Sequence, residues 1–441
     1  MNRLIIALLL IGGSLEGQSA LSLADAVKIA LKQNLDIQVA EKGAEIADTR
    51  ENWGQAGFLP NVNASASYTF SQTDVQQQLA VGSDSTGAPP PIREFNDAVS
   101  ENYNAGISAN YVLFDGLGRI NNWKKLQLQK EQSELQLRFT IENTLLQVFS
   151  AYYNLARQNE QVAIAKESVR LSLRRYKRAQ TAQEIGSQSK LESLSALVDL
   201  RRDSVAYLNS YNAFAKSRRE LNRLLNLPID SVYPVDTNIT YRNDLEYGML
   251  YSEALNNNAA LVQAEIAREI NRKDLNIAWS DRMPEIAANA GYNFSRQENE
   301  GGFLLFTENT GWQYGLNAQW NIFSSYRSQT AVETARIAIF QSEISLEQAR
   351  QQVQVDLSNA WLDYQNAGKI FSIERRNLEV AKLNYQRSQE AYALGTITNV
   401  QLREAQINYI SAKAAVNDLS YRLKMAEIEL QRVAGALIGE V

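Results

Sequence analysis

Two stretches of the 441-residue chain carry one phrase: FLPNVNASASYTFS at Phe58–Ser71 and RMPEIAANAGYNFS at Arg282–Ser295. Pro60 matches Pro284, Ala64 matches Ala288, Ala66 matches Ala290, Tyr68 matches Tyr292 and Phe70 matches Phe294, all at an offset of 224. After each proline, apolar and small polar residues alternate, the period of a β-strand whose successive side chains face opposite ways. Two further runs share that alternation. Val62, Ala64, Ala66, Tyr68 and Phe70 make one apolar face; so do Ala105, Ile107, Ala109, Tyr111 and Leu113; Ile286, Ala288, Ala290, Tyr292 and Phe294; and Tyr314, Leu316, Ala318, Trp320 and Ile322. Asn, Ser, Thr, Gln and Gly fill most of the alternate positions, and the runs hold no charge although 21% of the chain is charged. A soluble antiparallel sheet also alternates, but it normally shows Lys, Glu or Asp to water. About ten residues of uncharged alternation with aromatics near the ends reads as a transmembrane barrel strand.

Four strands cannot close a barrel, and an open strand edge is not tolerated in lipid. The chain must therefore associate with copies of itself. Two copies give eight strands around a filled interior and three give twelve around a lumen; the pattern leaves both open.

The duplication runs beyond the strands. At an offset of 209, Gly106 matches Gly315, Phe114 matches Phe323, Ala151 matches Ala360, Tyr176 matches Tyr385, Arg178 matches Arg387 and Gly186 matches Gly395. The offset drops from 224 to 209, so the second copy lacks 15 residues in the loop between its strands, where length change costs little. Each half reads helix, strand, loop, strand, very long helix, glycine turn, helix. The first repeat covers 21–227, with a helix over Leu23–Gly57, a strand hairpin over 62–114 and helices over 119–184 and 189–226. A linker follows at 228–248. The second repeat covers 249–436, with a helix over Met249–Asp281, a hairpin over 286–323 and helices over 327–394 and 398–433, before a tail at 437–441. Pro60 and Pro284 break the chain between helix and strand.

At 1.5 Å per residue each long helix would run roughly 100 Å, and two shorter helices laid end to end match that height. In the last helix Leu402, Ala405, Tyr409, Ala412, Val416, Leu419, Leu423, Ala426, Leu430 and Val433 step by threes and fours, a coiled-coil seam. Tyr364, Phe371, Leu378, Tyr385 and Tyr392 recur every seven.

Composition narrows the chemistry. With no cysteine and no histidine, disulfides, Cys or His metal sites, Ser-His-Asp triads and Cys-His nucleophiles are excluded. No carboxylate pair stands out for acid–base work, so an enzyme is not expected, nor is a cofactor. A net charge of -5 gives no basic face for nucleic acid. Asn2-Arg3 followed by an apolar run over Leu4–Gly13, then small residues to Ala20, reads as a secretory signal at 1–20.

In this order of elements the chain resembles the TolC family of outer-membrane factors. The likeness rests on the duplication, the two proline-then-strand phrases, Phe114-Asp115-Gly116 before a long helix, and the turns QEIGSQSKLESLSAL and YALGTITNVQLREAQ. It implies an α+β membrane protein with an internal duplication: an outer-membrane β-barrel, four strands per protomer and twelve in a trimer, continued by a long α-helical coiled-coil barrel in the periplasm. It also implies a passive exit duct for efflux or type I secretion, a homotrimer in outer-membrane lipid served by a periplasmic adaptor and an inner-membrane RND or ABC pump, without nucleic acid. The resemblance makes Gly186, Ser187, Gly395 and Thr396 the adaptor-docking tips. Gln401 and Glu404 match the family's paired acids at the periplasmic aperture, so Glu404 would form a ring of three carboxylates selecting cations while Gln401 has lost its charge. Glu192 and Tyr392 match a closing pair joined by a carboxylate–phenol hydrogen bond, and Ile397 replaces a basic lock residue. The competing reading is a trimeric coiled-coil stalk or adhesin with a membrane anchor. Such a stalk needs one anchor, not two matched hairpins. Neither reading names the cargo.

Overall fold

The computed structural model describes residues 20–78, 92–242, 244–301 and 304–437. Residues 1–19 of the signal segment, the Pro89-Pro90-Pro91 stretch and residues 438–441 of the tail lie outside them. The chain divides into two compact units, one of Met1–Ala44, Ser133–Glu265 and Ser345–Val441, the other of Glu45–Gln132 and Ile266–Ile344.

The second unit holds all four strands, β1 (Asn61–Gln77), β2 (Arg93–Phe114), β3 (Glu285–Asn299) and β4 (Phe306–Gln319), in one antiparallel sheet of order β1-β2-β3-β4. Register joins the four apolar faces into one. Val62 lies opposite Ala109, Ala109 opposite Ala290 and Ala290 opposite Tyr314; the next row is Ala64, Ile107, Tyr292 and Trp312. The other face carries rows such as Asn63, Ser108, Gly291 and Gln313. Because the sheet is a single layer, its apolar face stays open: Ile107 is 58% exposed and Leu316 77%. Among the described residues the outer edges of β1 and β4 pair with nothing.

The outermost aromatic of each charge-free run falls on a diagonal. Phe70 is one row beyond Tyr103, Tyr103 one row beyond Phe294 and Phe294 one row beyond Trp312. A step of two residues per strand is about 6.6 Å along the chain for about 4.8 Å across it. Aromatics at one membrane depth would then require strands tilted by roughly 50°, near the inclination of a closing barrel.

Several elements end elsewhere than the periodicity suggests. β1 and β2 extend past the charge-free runs to Gln77 and back to Arg93, through a bulge at Thr73/Val75, so strand continues well into the stretch that joins the two runs. β4 stops at Gln319, leaving Trp320, Ile322 and Phe323 beyond it. Each helix leading into a hairpin is split: α1 (Leu23–Gln33) from α2 (Leu35–Arg50) at Asn34, and α5 (Tyr247–Asn257) from α6 (Ala259–Ser280) at Asn258. These asparagines are repeat partners with the same bonds. Asn34 accepts from the N–H of Asp36 and Ile37 and donates to the Leu224 carbonyl; Asn258 accepts from Ala260 and Leu261 and donates to the Val433 carbonyl. Each caps a new helix while pinning the joint to a neighbouring one. Helix α2 ends at Arg50, seven residues short of the expected Gly57, while Pro60 and Pro284 each directly precede a strand.

The long helices are α3 (Gly118–Glu184) and α7 (Arg327–Ala393), each followed by a 35-residue partner, α4 (Lys190–Leu224) and α8 (Asn399–Val433). None of the ten α8 seam positions is exposed. In the first unit α1 packs on α3 and α4 around Leu145, Val148, Leu155 and Leu221, and α5 packs on α7 and α8 around Leu357 and Leu430. The linker is tied down by Asn222, which donates to the Ile229 and Ser231 carbonyls, and by buried Glu427, which accepts from Arg242 N. Among the described residues no helix is long and apolar enough to cross a membrane.

Candidate functional site at the two helical turns

The α3–α4 and α7–α8 turns are built alike. Gly186 and Gly395 hold φ of 73° and 76°, and a Cβ would meet nothing within 4 Å at either, so backbone conformation alone demands glycine. Ser187 N reaches the Ala182 carbonyl at 2.9 Å and Thr396 N the Ala391 carbonyl at 3.0 Å, closing both helix ends. Ser189 and Thr398 then cap the returning helices. Ser187 and Thr396 are exposed, flanked by the matched apolar pairs Ile185 (75% exposed) with Leu191, and Leu394 (79%) with Val400.

The predicted aperture residues separate here. Gln401 belongs to a capping box: its N–H donates to the Thr398 hydroxyl, and its side-chain oxygen accepts from Thr398 N at 2.8 Å. Glu404, one turn on, is exposed and makes no hydrogen bond or ion pair among the described residues. The Tyr392 hydroxyl takes a bond from the Gln188 amide at 3.3 Å, which sets the two turns side by side. Within the chain Glu192 is not bonded to Tyr392; its Oε2 is buried without a partner, as are Gln188 Oε1 and Asn399 Oδ1. Pro60 and Pro284 belong to the other unit and are not gathered with these residues.

Above the turns lies a buried charge network that periodicity does not reveal. Arg403 on α8 donates Nη1 and Nη2 to the two carboxylate oxygens of Asp203 on α4, both at 2.8 Å. Ser168 and Ser172 on α3 also donate to Asp203, and Gln406 donates to Ser172 at 3.1 Å. Arg175, 4% exposed, donates to Asp199, which Arg202 also bonds at 2.9 Å. Burial alone would raise the Asp203 pKa, but the Arg403, Ser172 and Ser168 bonds hold its carboxyl below the usual range. Farther along the same seam Lys413 pairs with Glu167 at 2.8 Å and Arg157 with Asp418 at 2.8 Å. The α3–α8 seam is therefore zipped by ions, while Tyr385 and Tyr409 stack at 5.6 Å between α7 and α8. Arg403 adjoins the seam residue Leu402, so its spacing marks it as a flank and only the third helix makes it interior. The described residues hold no cluster of His, Cys, Asp and Glu suited to a metal ion.

This geometry can be set beside known proteins. A family model described as "Outer membrane efflux protein" matches residues 26–227 and 250–436. The cation efflux system protein CusC of Escherichia coli is 22% identical over 84% of this chain and 81% of its own length. The outer membrane efflux protein BepC of Brucella suis is 20% identical over 98% of this chain and 90% of its own. Among solved structures, the outer membrane protein VceC of Vibrio cholerae superposes with a TM-score of 0.76 at 14% identity, covering 94% of this chain and 96% of that one.

Proposed function

The chain belongs to the outer membrane efflux protein family, and from that premise we propose that three copies form the passive exit duct of a tripartite efflux or type I secretion system. The family is one of transport channels, not of enzymes, and its place is the outer membrane of Gram-negative bacteria. One observation carries the reading furthest. The chain builds a single-layer sheet whose central runs carry no charge and whose two edges are unpaired among the described residues, and the same chain ends its helices in two matched, exposed turns. Edges of that kind are tolerated in lipid only when another copy closes them.

In this reading the repeats 21–227 and 249–436 each give one hairpin to the barrel and one helical pair to a periplasmic tunnel, with the segment before residue 21 removed on export. Gly186, Ser187, Gly395 and Thr396, with Ile185, Leu191, Leu394 and Val400, form the tips where a periplasmic adaptor docks. An RND or ABC pump supplies the energy. Glu404 of each copy lines the aperture as a carboxylate ring, and Glu192 and Tyr392 close it, Glu192 taking a donor from a neighbouring copy.

A photo-crosslinker at Thr396 in living cells tests the proposal, with captured proteins identified by mass spectrometry. The expected product is a periplasmic adaptor. A trimer in the outer membrane that captures no periplasmic protein would instead favour a structural stalk.

A further inference from the structure

At the helix-side end of the apolar sheet face the side chains change character. Trp320, Ile322, Phe323 and Tyr326 follow β4 and are all more than 60% exposed, continuous with the face that meets lipid. The Trp320 indole N–H donates to the Arg282 carbonyl at 3.0 Å, leaving its ring outward, as tryptophan sits at a membrane interface. Beside it, two cations share one ring: the Arg282 guanidinium lies 4.5 Å from the Trp279 centroid and that of Arg336 5.8 Å. Among the described residues Arg282 has no carboxylate partner, and its Nε is buried without an acceptor. Among the described residues its side chain makes one hydrogen bond, a long one of 3.5 Å to the Ser328 carbonyl. Among the described residues the only ion pair of Arg336 is with Glu333, at 3.6 Å and exposed.

The nearby acids do not answer these charges. Glu285 lies opposite Gln319 on the polar face, and both line, with Asp115 and Asp281, a separate hollow of about 440 Å³. Two guanidiniums converging on one indole, short of carboxylate and next to an aromatic belt, form an anion site at a lipid boundary.

We propose that Trp279, Arg282 and Arg336 bind the phosphate of an anionic phospholipid headgroup in the leaflet nearer the helices. This rests on the sheet spanning a bilayer. The guanidiniums take the phosphate oxygens, the indole holds both cations in place, and Phe323 and Tyr326 lie against the glycerol and upper acyl chain.

Native mass spectrometry of the detergent-purified trimer, titrated with phosphatidylglycerol, tests the site. The wild type should hold the lipid, and Arg282→Gln/Arg336→Gln should weaken it about tenfold or more, the effect of losing charge-assisted bonds. Arg296→Gln, which removes an exposed arginine at the far end of β3 from Arg282, should bind as the wild type does. Equal lipid binding by wild type and double variant overturns the proposal. So does displacement of phosphatidylglycerol by millimolar inorganic phosphate, which would make the site one for a soluble anion. Should the double variant fail to assemble, Arg336→Gln alone gives the readout, since Arg336 is exposed. Bilayer conductance of the wild type reports separately whether a channel forms, so failure of the lipid site and failure of the channel are told apart.

Discussion

Of the two residues expected at the aperture, one is spoken for. Gln401 is neutral and bound into the cap of α8, so of the two positions Glu404 alone offers a charge. Glu404→Ala should move the reversal potential in a salt gradient toward zero, because a ring of three carboxylates favours cations and its loss removes that preference. An unchanged reversal potential would remove Glu404 from the conduction path. The role of Gln401 was legible in principle, since Thr-x-x-Gln is the spacing of a capping box. Arg403 was not, because its burial is set by α3 and α4, hundreds of residues away in sequence. The Gln188–Tyr392 bond likewise depends on which turn packs on which, a matter that composition leaves undetermined.

Among the elements, the ionic junction of α3, α4 and α8 carries the most specific expectation. Asp203 has a depressed pKa, so its contribution to stability is fully present above the unfolded carboxylate value near ~4 and is lost as pH falls through the lower folded value. The seam should therefore hold through neutral and mildly acid conditions and loosen only in strong acid. Asp203→Asn leaves Arg403 without its bidentate carboxylate; removing one partner of a buried pair costs about 3 kcal/mol. The variant should melt earlier and show a higher resting conductance in planar bilayers. Earlier melting with wild-type conductance would make the network structural and nothing more. Heptad spacing was enough to read the long helices, but not their broken partners. Asparagine favours caps but does not by itself end a helix, and the breaks at Asn34 and Asn258 need carbonyls from Leu224 and Val433 to fix them.

For the whole molecule, the unpartnered surfaces argue for neighbours. On α4, Leu191, Leu194, Val198, Val205 and Leu208 step by threes, fours and sevens and are each about half to three-quarters exposed. On α7, Val355, Leu362, Ile373 and Val380 are similarly open. Stripes of this spacing are coiled-coil seams without their partner helix. Val198→Glu should reduce the trimer seen on native gels and in outer-membrane fractions, since a charge in such a seam opposes burial. A trimer of undiminished yield would show that α4 faces water. Barrel strands and helical pairs could be read from periodicity alone. How many copies close the barrel could not, because a strand pattern states what each edge needs and not how many edges meet.

The Asp203–Arg403 network has no counterpart in the second repeat. Its residues Ser172, Arg175, Asp199, Asp203 and Arg403 correspond to Ala381, Asn384, Asn408, Ala412 and Leu194, none of them charged. Gene duplication supplied two interchangeable helical pairs, and three chains would make a ring of six near-equivalent pairs. Charge at only one kind of junction would divide that ring into alternate stiff and yielding seams. Such a ring would widen by three coordinated movements rather than six, each at a junction that lacks this network.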